Sequence, residues 1–429
     1  MTEANLVRPE RLRDLVPVGD SVIARGLGRS YGDAALNSSG TTVLTTKLDR
    51  FVEFDATTGL VRAEAGLSLG ALLKAMVPRG WFVPVTPGTQ NCTLGGCLAA
   101  DVHGKNHHRD GTFSRHVTKA TLVLASGETR VLNQSDPLFW ATAGGMGLTG
   151  IIREVELQLI PVETAYMQVK HVKSPDLDTT IELLTDPAHD AQYTVAWIDC
   201  LASGASLGRG VFMAGDHAPK SAVPLNREDP LRLKMKNTKP FPIDLPGFAL
   251  NPFTIKLFNA AYNSFQGRRG EFLSPYPSFF YPLDGIDQWN RMYGKRGFVQ
   301  YQFVLPAATA QIAMREVLRR FSEARRASFL AVLKRFGAQG PGLLSFPTEG
   351  LTLSLDIPMS SGILEFLDGM DAFVRNHGGR IYLAKDSRMG PEMLRAGYPR
   401  LDEFCEVRRL VDPAGRFSSD LSRRLKLCP

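Results

Sequence analysis

Between Pro87 and His108 the chain reads PGTQNCTLGGCLAADVHGKNHH. Gly88, Gly95, Gly96 and Gly104 let the backbone approach a ligand closely, and Thr89, Thr93, Asp101, His103, Lys105 and Asn106 set polar groups beside them. A simple turn needs neither so many glycines nor so many donors. Backbone N–H groups freed in this way form a concavity for anions, a pyrophosphate above all. The stretch is neither GxGxxG nor a P-loop, so by motif it names no nucleotide. Alone, it also suits a polar surface loop.

Two more glycine-rich segments strengthen the ligand reading. Ala24–Asp33 reads ARGLGRSYGD, where Gly26, Gly28 and Gly32 alternate with Arg25, Arg29, Ser30 and Tyr31. Phe139–Gly150 reads FWATAGGMGLTG and opens a strand with Val155, Leu157 and Leu159 on one face and Glu154, Glu156 and Gln158 on the other. Short strands are predicted at Ser21–Ala24, Thr42–Thr45, Phe51–Asp55, Leu60–Glu64 and Trp81–Val85, and a hairpin from Ala120–Ala125 and Glu128–Leu132. Arg8–Val16 reads as a short helix, and Ser68 caps another over Leu69–Val77. Many short strands with few helices are unlike the long βαβ units of a doubly wound nicotinamide-binding sheet.

Composition removes several classes. At 429 residues the chain has room for two or three domains. It has no apolar run near the ~18 residues of a membrane span, and its first residues lack an apolar signal region. Net charge is +7, but Lys and Arg are scattered and no nucleic-acid motif is present. The surplus suits an anionic substrate or a lipid head-group surface. Five cysteines, an odd number without CxxC, argue against a disulfide framework and for thiols in a reducing compartment. His107 and His108 are adjacent, with no carboxylate partner in view, so no metal site is expected.

From about Glu163 the pattern changes. Strands near Gln168–Val172 and Gln192–Asp199 bracket a helix around Leu177–Leu184. Ala218–Phe280, rich in Pro, Lys, Asn and aromatic residues, has weak periodicity and reads as a lid, a membrane flap or a partner surface. Phe298–Leu305, Phe329–Phe336 and Leu351–Ile357 read as an antiparallel sheet with helices on one side, among them Ile363–Val374. Gln300, Gln302, Lys334, Thr352 and Ser354 would line one pocket on its polar face. A late strand delivers Tyr382 and Lys385 together, and a helix over Ser419–Leu425 ends the chain.

In this order, ARGLGRSYGD (Ala24–Asp33), DVHGKNHH (Asp101–His108), FWATAGGMGLTGII (Phe139–Ile152), QYQF (Gln300–Phe303) and AKDSR (Ala384–Arg388) resemble the vanillyl-alcohol-oxidase-type flavoproteins. Within them the resemblance is to the flavin subunits of polyprenylphosphoryl-ribose 2′-epimerases, and it spans essentially the whole chain. It implies an α+β, two-domain FAD-binding fold. Residues 1–163 and 380–429 would form the FAD domain. Residues 164–379 would form an antiparallel-sheet substrate domain, with a flexible region near 218–280.

The resemblance further implies FAD contacts from Arg25, Gly26, Leu27, Gly28, Arg29, Ser30, Tyr31, Gly32, Asp33, Gly88, Thr93, Leu94, Gly95, Gly96, Ala100, Asp101, Val102, His103, Ile152 and Tyr382. The first glycine loop holds no His that could attach the flavin, so FAD would be non-covalent. His103, Gly104, Lys105, Gln300, Gln302, Lys334, Phe336, Thr352, Ser354 and Lys385 would face the substrate. Lys385 would steady the reduced, anionic flavin, Tyr31 and His103 would receive or relay the hydroxyl proton, and Lys105 and Lys334 would hold a phosphate.

The implied reaction oxidises the 2′-hydroxyl of a polyprenylphosphoryl-β-D-ribose to the 2′-keto sugar, the first half of epimerisation to an arabinose donor for cell-wall arabinan. A nicotinamide-dependent reductase subunit would finish it. The protein would sit in the cytoplasm or at a membrane surface, on either face. Ser354 stands where a mycobacterial member has an active-site cysteine, and Thr352 where it has an asparagine, which bears on specificity. Two other classes fit the residues: a soluble sugar or alditol oxidase that uses oxygen, and a non-catalytic flavin- or lipid-binding protein.

Overall fold

Period-two alternation builds the N-terminal part. The computed structural model describes residues 3–189, 191–224, 229–233, 239–246, 250–328 and 330–428. Asn5–Val7, Thr41–Leu44 and Val22–Arg25 pair in parallel, in that spatial order. Phe51–Asp55, Leu60–Glu64, Ile151–Gln158, Val117–Val123 and Thr129–Asn133 form an antiparallel sheet, again in that order. Val155 and Leu157 turn into the core and Glu154 and Glu156 turn outward, as the alternation requires. Helix Leu69–Met76 begins at Ser68, whose Oγ accepts the Ala71 N–H at 3.1 Å, and buries Leu69, Leu72, Leu73 and Met76. Each such side chain contributes ~1.5–3 kcal/mol.

A second, wider antiparallel sheet follows. Its spatial order is Glu271–Pro275, Tyr166–Ser174, Gly210–His217, Tyr193–Ile198, Ala331–Phe336, Gly350–Pro358, Phe298–Pro306 and Arg380–Ile381. One face carries Ala196, Phe212, Leu333, Leu353 and Phe303 against helices Leu177–Thr185, Ala307–Glu323 and Ile363–Asn376. Residues of opposite parity, Trp197, Met213, Val332, Lys334, Ser354, Gln300 and Gln302, look the other way, into a cavity.

Several expectations change. Arg8–Val16 makes only a single 3₁₀ turn, Leu12–Asp14, none of whose residues is buried. The strand predicted from Trp81 stops at Phe82. The strand predicted from Phe329 runs over Ala331–Phe336, and Phe329 lies outside the described residues. Arg380–Ile381, expected to side with the FAD part, hydrogen-bonds to Phe303 and Val304 of the wide sheet. Within 218–280, parts of which lie outside the described residues, Pro252–Gln266 is a capped helix and Glu271–Pro275 a strand. Cys405 and Cys428, expected as thiols, form a disulfide across 23 positions, their Cα atoms 5.2 Å apart. An odd total does not forbid one pair, and only folding brings helix Leu401–Val411 to the chain's last residues.

The C-terminal segment closes back on the first loops. Phe417 bridges Val22, the Asp420 carboxylate accepts the Ser38 N–H and hydroxyl at 2.8 Å each, and Arg424 pairs with Asp33 and Asp386. Among the described residues, no helix is long and apolar enough to cross a membrane.

Candidate active site

The three glycine-rich segments converge on one cavity of about 1100 Å³. That exceeds the ~300–1,000 Å³ of an ordinary small-molecule site. One wall is Gly26 to Tyr31, a second Thr86 to Lys105, and a third Met146, Gly147, Gly150 and Ile152. Gly28 is glycine because its φ is +62°, and Gly32 because a Cβ there would run into the Asp386 carbonyl oxygen. Part of the central glycine-rich stretch is a short helix, Leu94–Ala99, which its glycines hide from periodicity; Thr93 Oγ1 caps it by accepting the Gly96 N–H at 3.1 Å. Tyr382 closes the floor, its hydroxyl donating to the Ala100 carbonyl at 2.9 Å.

Most of the expected contacts do line this space. Gly26, Leu27, Gly28, Arg29, Ser30, Tyr31, Gly88, Thr93, Gly95, Gly96, Ala100, Val102, His103, Ile152 and Tyr382 are there, with Gly104, Lys105, Gln300, Gln302, Lys334, Ser354 and Lys385. Others stand behind the wall. Arg25 donates to the Ala35 carbonyl at 3.1 Å, and Gly32 packs on Asp386. Asp33 is paired with Arg424, and Leu94 is fully buried in the core. Asp101 accepts the Ser114 N–H at 3.2 Å and bonds Ser345. Phe336 packs edge-on against the His103 ring at 4.8 Å. Thr352 donates to the Phe303 carbonyl at 2.8 Å and receives the Gln302 amide at 3.3 Å, so it orients Gln302 from behind. The polar groups among them are satisfied within the protein, a distinction sequence spacing does not carry.

The sheet floor is graded. Strand register sets Gln302 beside Ser354, Ser354 beside Val332, and Val332 beside Trp197. Polarity therefore falls along one row, from Gln302 to Trp197, where Met213 and Tyr262 complete an apolar end. Over the top runs Phe280 to Asn290, pinned by Asp284, whose carboxylate accepts the Thr89 hydroxyl and the Gln90 N–H at 2.8 Å each.

Charge concentrates at the polar end. Lys334 and Lys385 are half-buried there, and the half-buried Lys105 reaches the cavity from beside Phe279, whose carbonyl accepts from its ammonium and whose ring centroid lies 4.1 Å from it. Burial pushes Lys105 down to about 7, with Lys334 adding repulsion. It pushes Lys334 down to about 7, with Lys385 adding. It brings Lys385 down to about 8, against the upward pull of Asp356. Asp356 is raised to about 6 by burial, opposed by the Gln300 amide that donates to it and by Lys385. The Lys385 ammonium sits 4.0 Å from the Tyr31 ring centroid.

Burial first, and then Asp356, push the Tyr31 phenol upward, although its ring still faces the cavity; it is a donor here, not a base. Burial holds His103 well below the usual imidazole range, followed by Lys334, His107 and Lys385. Its Nε2 lies 3.1 Å from the Gln302 amide nitrogen, which can only donate. Asp356, Asp284, Trp197, Met213 and Tyr262 were not among the expected site residues; only the strand parity shared by Ser354 and Asp356 hinted at one of them.

Residues 13–133 match the FAD binding domain family, and residues 295–425 match the D-arabinono-1,4-lactone oxidase family. The decaprenylphosphoryl-β-D-ribose oxidase of Mycolicibacterium smegmatis is 40% identical over 415 residues, 95% of this chain and 90% of that protein. The chain belongs to the decaprenylphosphoryl-β-D-ribose oxidase family. An L-gulono-1,4-lactone dehydrogenase of Mycobacterium tuberculosis is more distant, 23% identical over 98% of this chain and 95% of its own. The crystal structure of cholesterol oxidase from B. sterolicum shares the fold, with a TM-score of 0.67 at 14% identity, covering 98% of this chain and 93% of that one. As the family's fold requires, the architecture is the α+β, antiparallel-sheet type expected from the motifs. The chain is a FAD-dependent oxidoreductase acting on a CH–OH group.

The residues present suit FAD. Gly88 lines the cavity with nothing within 4 Å of a Cβ placed on it, so the backbone there is open to a ligand. His103 Nδ1 and Gln300 Oε1 are buried without a hydrogen-bond partner, as polar atoms reserved for a ligand would be.

Proposed function

We propose that this chain oxidises the 2′-hydroxyl of a polyprenylphosphoryl-β-D-ribose to the 2′-keto sugar, the first half of inversion to the arabinose configuration. The observation that carries the reading is the graded cavity. It sets lysines and glutamines at one end and an apolar floor at the other, under glycine walls suited to FAD. A sugar phosphate with a hydrocarbon tail has the same gradient.

When bound, FAD supplies the hydride acceptor. Gly26 to Tyr31, Gly88, Thr93 to Gly96 and Tyr382 would hold it, without a covalent bond, so acid precipitation should release the flavin. Residues 1–163 and 380–429 would carry most of those contacts, and residues 164–379 the substrate. Lys105 and Lys334 hold the phosphate by charge-assisted hydrogen bonds. Gln300 and Gln302 orient the pentose.

The hydroxyl proton needs a base near neutrality. Tyr31 is too high and His103 too low, whereas Lys385 at about 8 can serve. Lys385 Nζ would take that proton and, as an ammonium, would favour the anionic form of the cofactor once it is reduced. Ser354 offers no thiol, so cysteine-directed covalent inhibitors should not act. A nicotinamide-dependent reductase subunit would complete the inversion, and the lipid tail implies contact with a membrane surface.

An anaerobic titration with farnesylphosphoryl-β-D-ribose tests the reaction. Stoichiometric flavin bleaching is expected. The match of residues 295–425 to the lactone oxidase family favours a second reading, direct oxygen-dependent oxidation of a free sugar. No bleaching with the lipid-linked sugar, together with rapid oxygen uptake on a free polyol or lactone, would replace the first reading by the second.

A further inference from the structure

Helix Pro252–Gln266 is amphipathic in the reverse sense. The side chains it buries are Ile255, Asn259 and Asn263, two of them amides, while Phe253, Leu257, Phe258 and Phe265 are 77%, 65%, 47% and 69% exposed. At ~100° per residue the exposed apolar residues fall in one sector of about 140°, and the buried ones on the opposite side. A soluble surface helix normally does the opposite, and a contiguous apolar patch of this kind marks an interaction site.

The patch is basic at its borders. The helix contains no Asp or Glu, and Lys256, Arg268 and Arg269 are exposed beside the apolar sector. The nearest carboxylate along the chain, Glu271, is already paired with Lys170 at 3.5 Å. An apolar sector fringed by cations is the pattern of a helix lying in the interface of an anionic bilayer.

The same helix closes the active-site cavity. Tyr262, on its inner side, lines the apolar end and lies 4.7 Å, centroid to centroid, from the Trp197 ring. From there Val332, Ser354 and Gln302 follow in register toward the polar end. One helix thus separates a membrane-compatible surface from the apolar half of the site.

We propose that the outer face of helix Pro252–Gln266 seats in the head-group region of an anionic lipid bilayer, and that the apolar floor behind it, from Tyr262 to Val332, receives the polyprenyl chain of the substrate. The second half rests on the polyprenyl reading above. The first half does not, because it needs only the helix.

Two measurements on the flavin-loaded protein test it. The first is co-sedimentation with vesicles of equal phosphatidylglycerol and phosphatidylcholine, without substrate. Wild type should pellet, and a Phe253→Asp, Leu257→Asp, Phe265→Asp variant that retains its flavin should bind at least tenfold more weakly. Arg268→Gln with Arg269→Gln should lose the preference for anionic over neutral vesicles. Equal binding by wild type and the apolar variant, or no binding by wild type, overturns the proposal. So does self-association of wild type that the same substitutions abolish, since a second copy would then be the occupant.

The second uses a polyprenyl phosphate brominated along its chain, with no sugar. Because Trp289 also lines the cavity, this probe should quench tryptophan fluorescence in a Trp289→Phe background, and adding Trp197→Phe should remove that quenching. Quenching unaffected by Trp197→Phe overturns the chain-binding half. Vesicle binding and quenching that persist while farnesylphosphoryl-ribose fails to bleach the flavin would sink the proposed reaction and leave the surface standing.

Discussion

Lys334→Met isolates the electrostatic design of the site. Lys334 is lowered from 10.5 to about 7, chiefly by burial and then by Lys385. A difference of 3.5 units, at about 1.36 kcal/mol each, is ~4.8 kcal/mol favouring the unfolded, solvated ammonium below pH 7. The side chain faces an open cavity, so solvent screening reduces the figure to about 2 kcal/mol.

The sign follows from proton counting. Between pH 7 and 10.5 the unfolded chain binds more protons at this group than the folded one, so stability rises with pH across that window. Methionine keeps a similar volume without a charge. The substrate-free, flavin-loaded variant should therefore be about 2 kcal/mol more stable than wild type at pH 6.5, with the gap shrinking below about 1 kcal/mol by pH 9.5. Urea unfolding at both pH values, followed by flavin fluorescence and circular dichroism, measures it. The same variant should lose a charged hydrogen bond to phosphate worth ~1.5–3 kcal/mol, raising KM for the phosphoryl sugar about 10- to 100-fold. A variant less stable than wild type at pH 6.5, or a gap that widens with pH, would refute the reasoning.

Other outcomes follow from the same geometry. Lys385→Ala should slow anaerobic flavin reduction by about 10²–10³-fold with the fold intact, and in wild type that rate should rise with pH through about 8 as the amine deprotonates, read by stopped-flow absorbance. Gly32→Ala forces a Cβ against the Asp386 carbonyl, which should displace the Tyr31 segment and weaken FAD affinity at least tenfold by fluorescence titration. Replacing Cys405 and Cys428 by Ser opens a loop of 23 residues and should destabilise the chain by about 3 kcal/mol in denaturant unfolding; no change would mean the two cysteines are thiols in solution.

Local pattern carried a good deal of this. Ser68 capped its helix, the alternation of Glu154 to Leu159 named its strand, and the parity of Gln300, Gln302, Lys334 and Ser354 put them on one floor. The same parity misplaced Thr352, which lies behind the floor because its hydroxyl is used by Phe303 and Gln302. Helix Pro252–Gln266 was invisible to periodicity because it buries amides and exposes phenylalanines, the inverse of the rule used to find helices.

The chain's order of residues was thus enough to show where backbone could approach a dinucleotide, because glycine spacing and strand alternation are local properties. It could not show that Asp356 stands against Lys385, that Asp284 pins the cover of the cavity, or that Cys405 meets Cys428. Those depend on distances between segments tens to hundreds of positions apart. Burial in that shared space, not residue type, makes three lysines reactive near neutrality and a tyrosine inert.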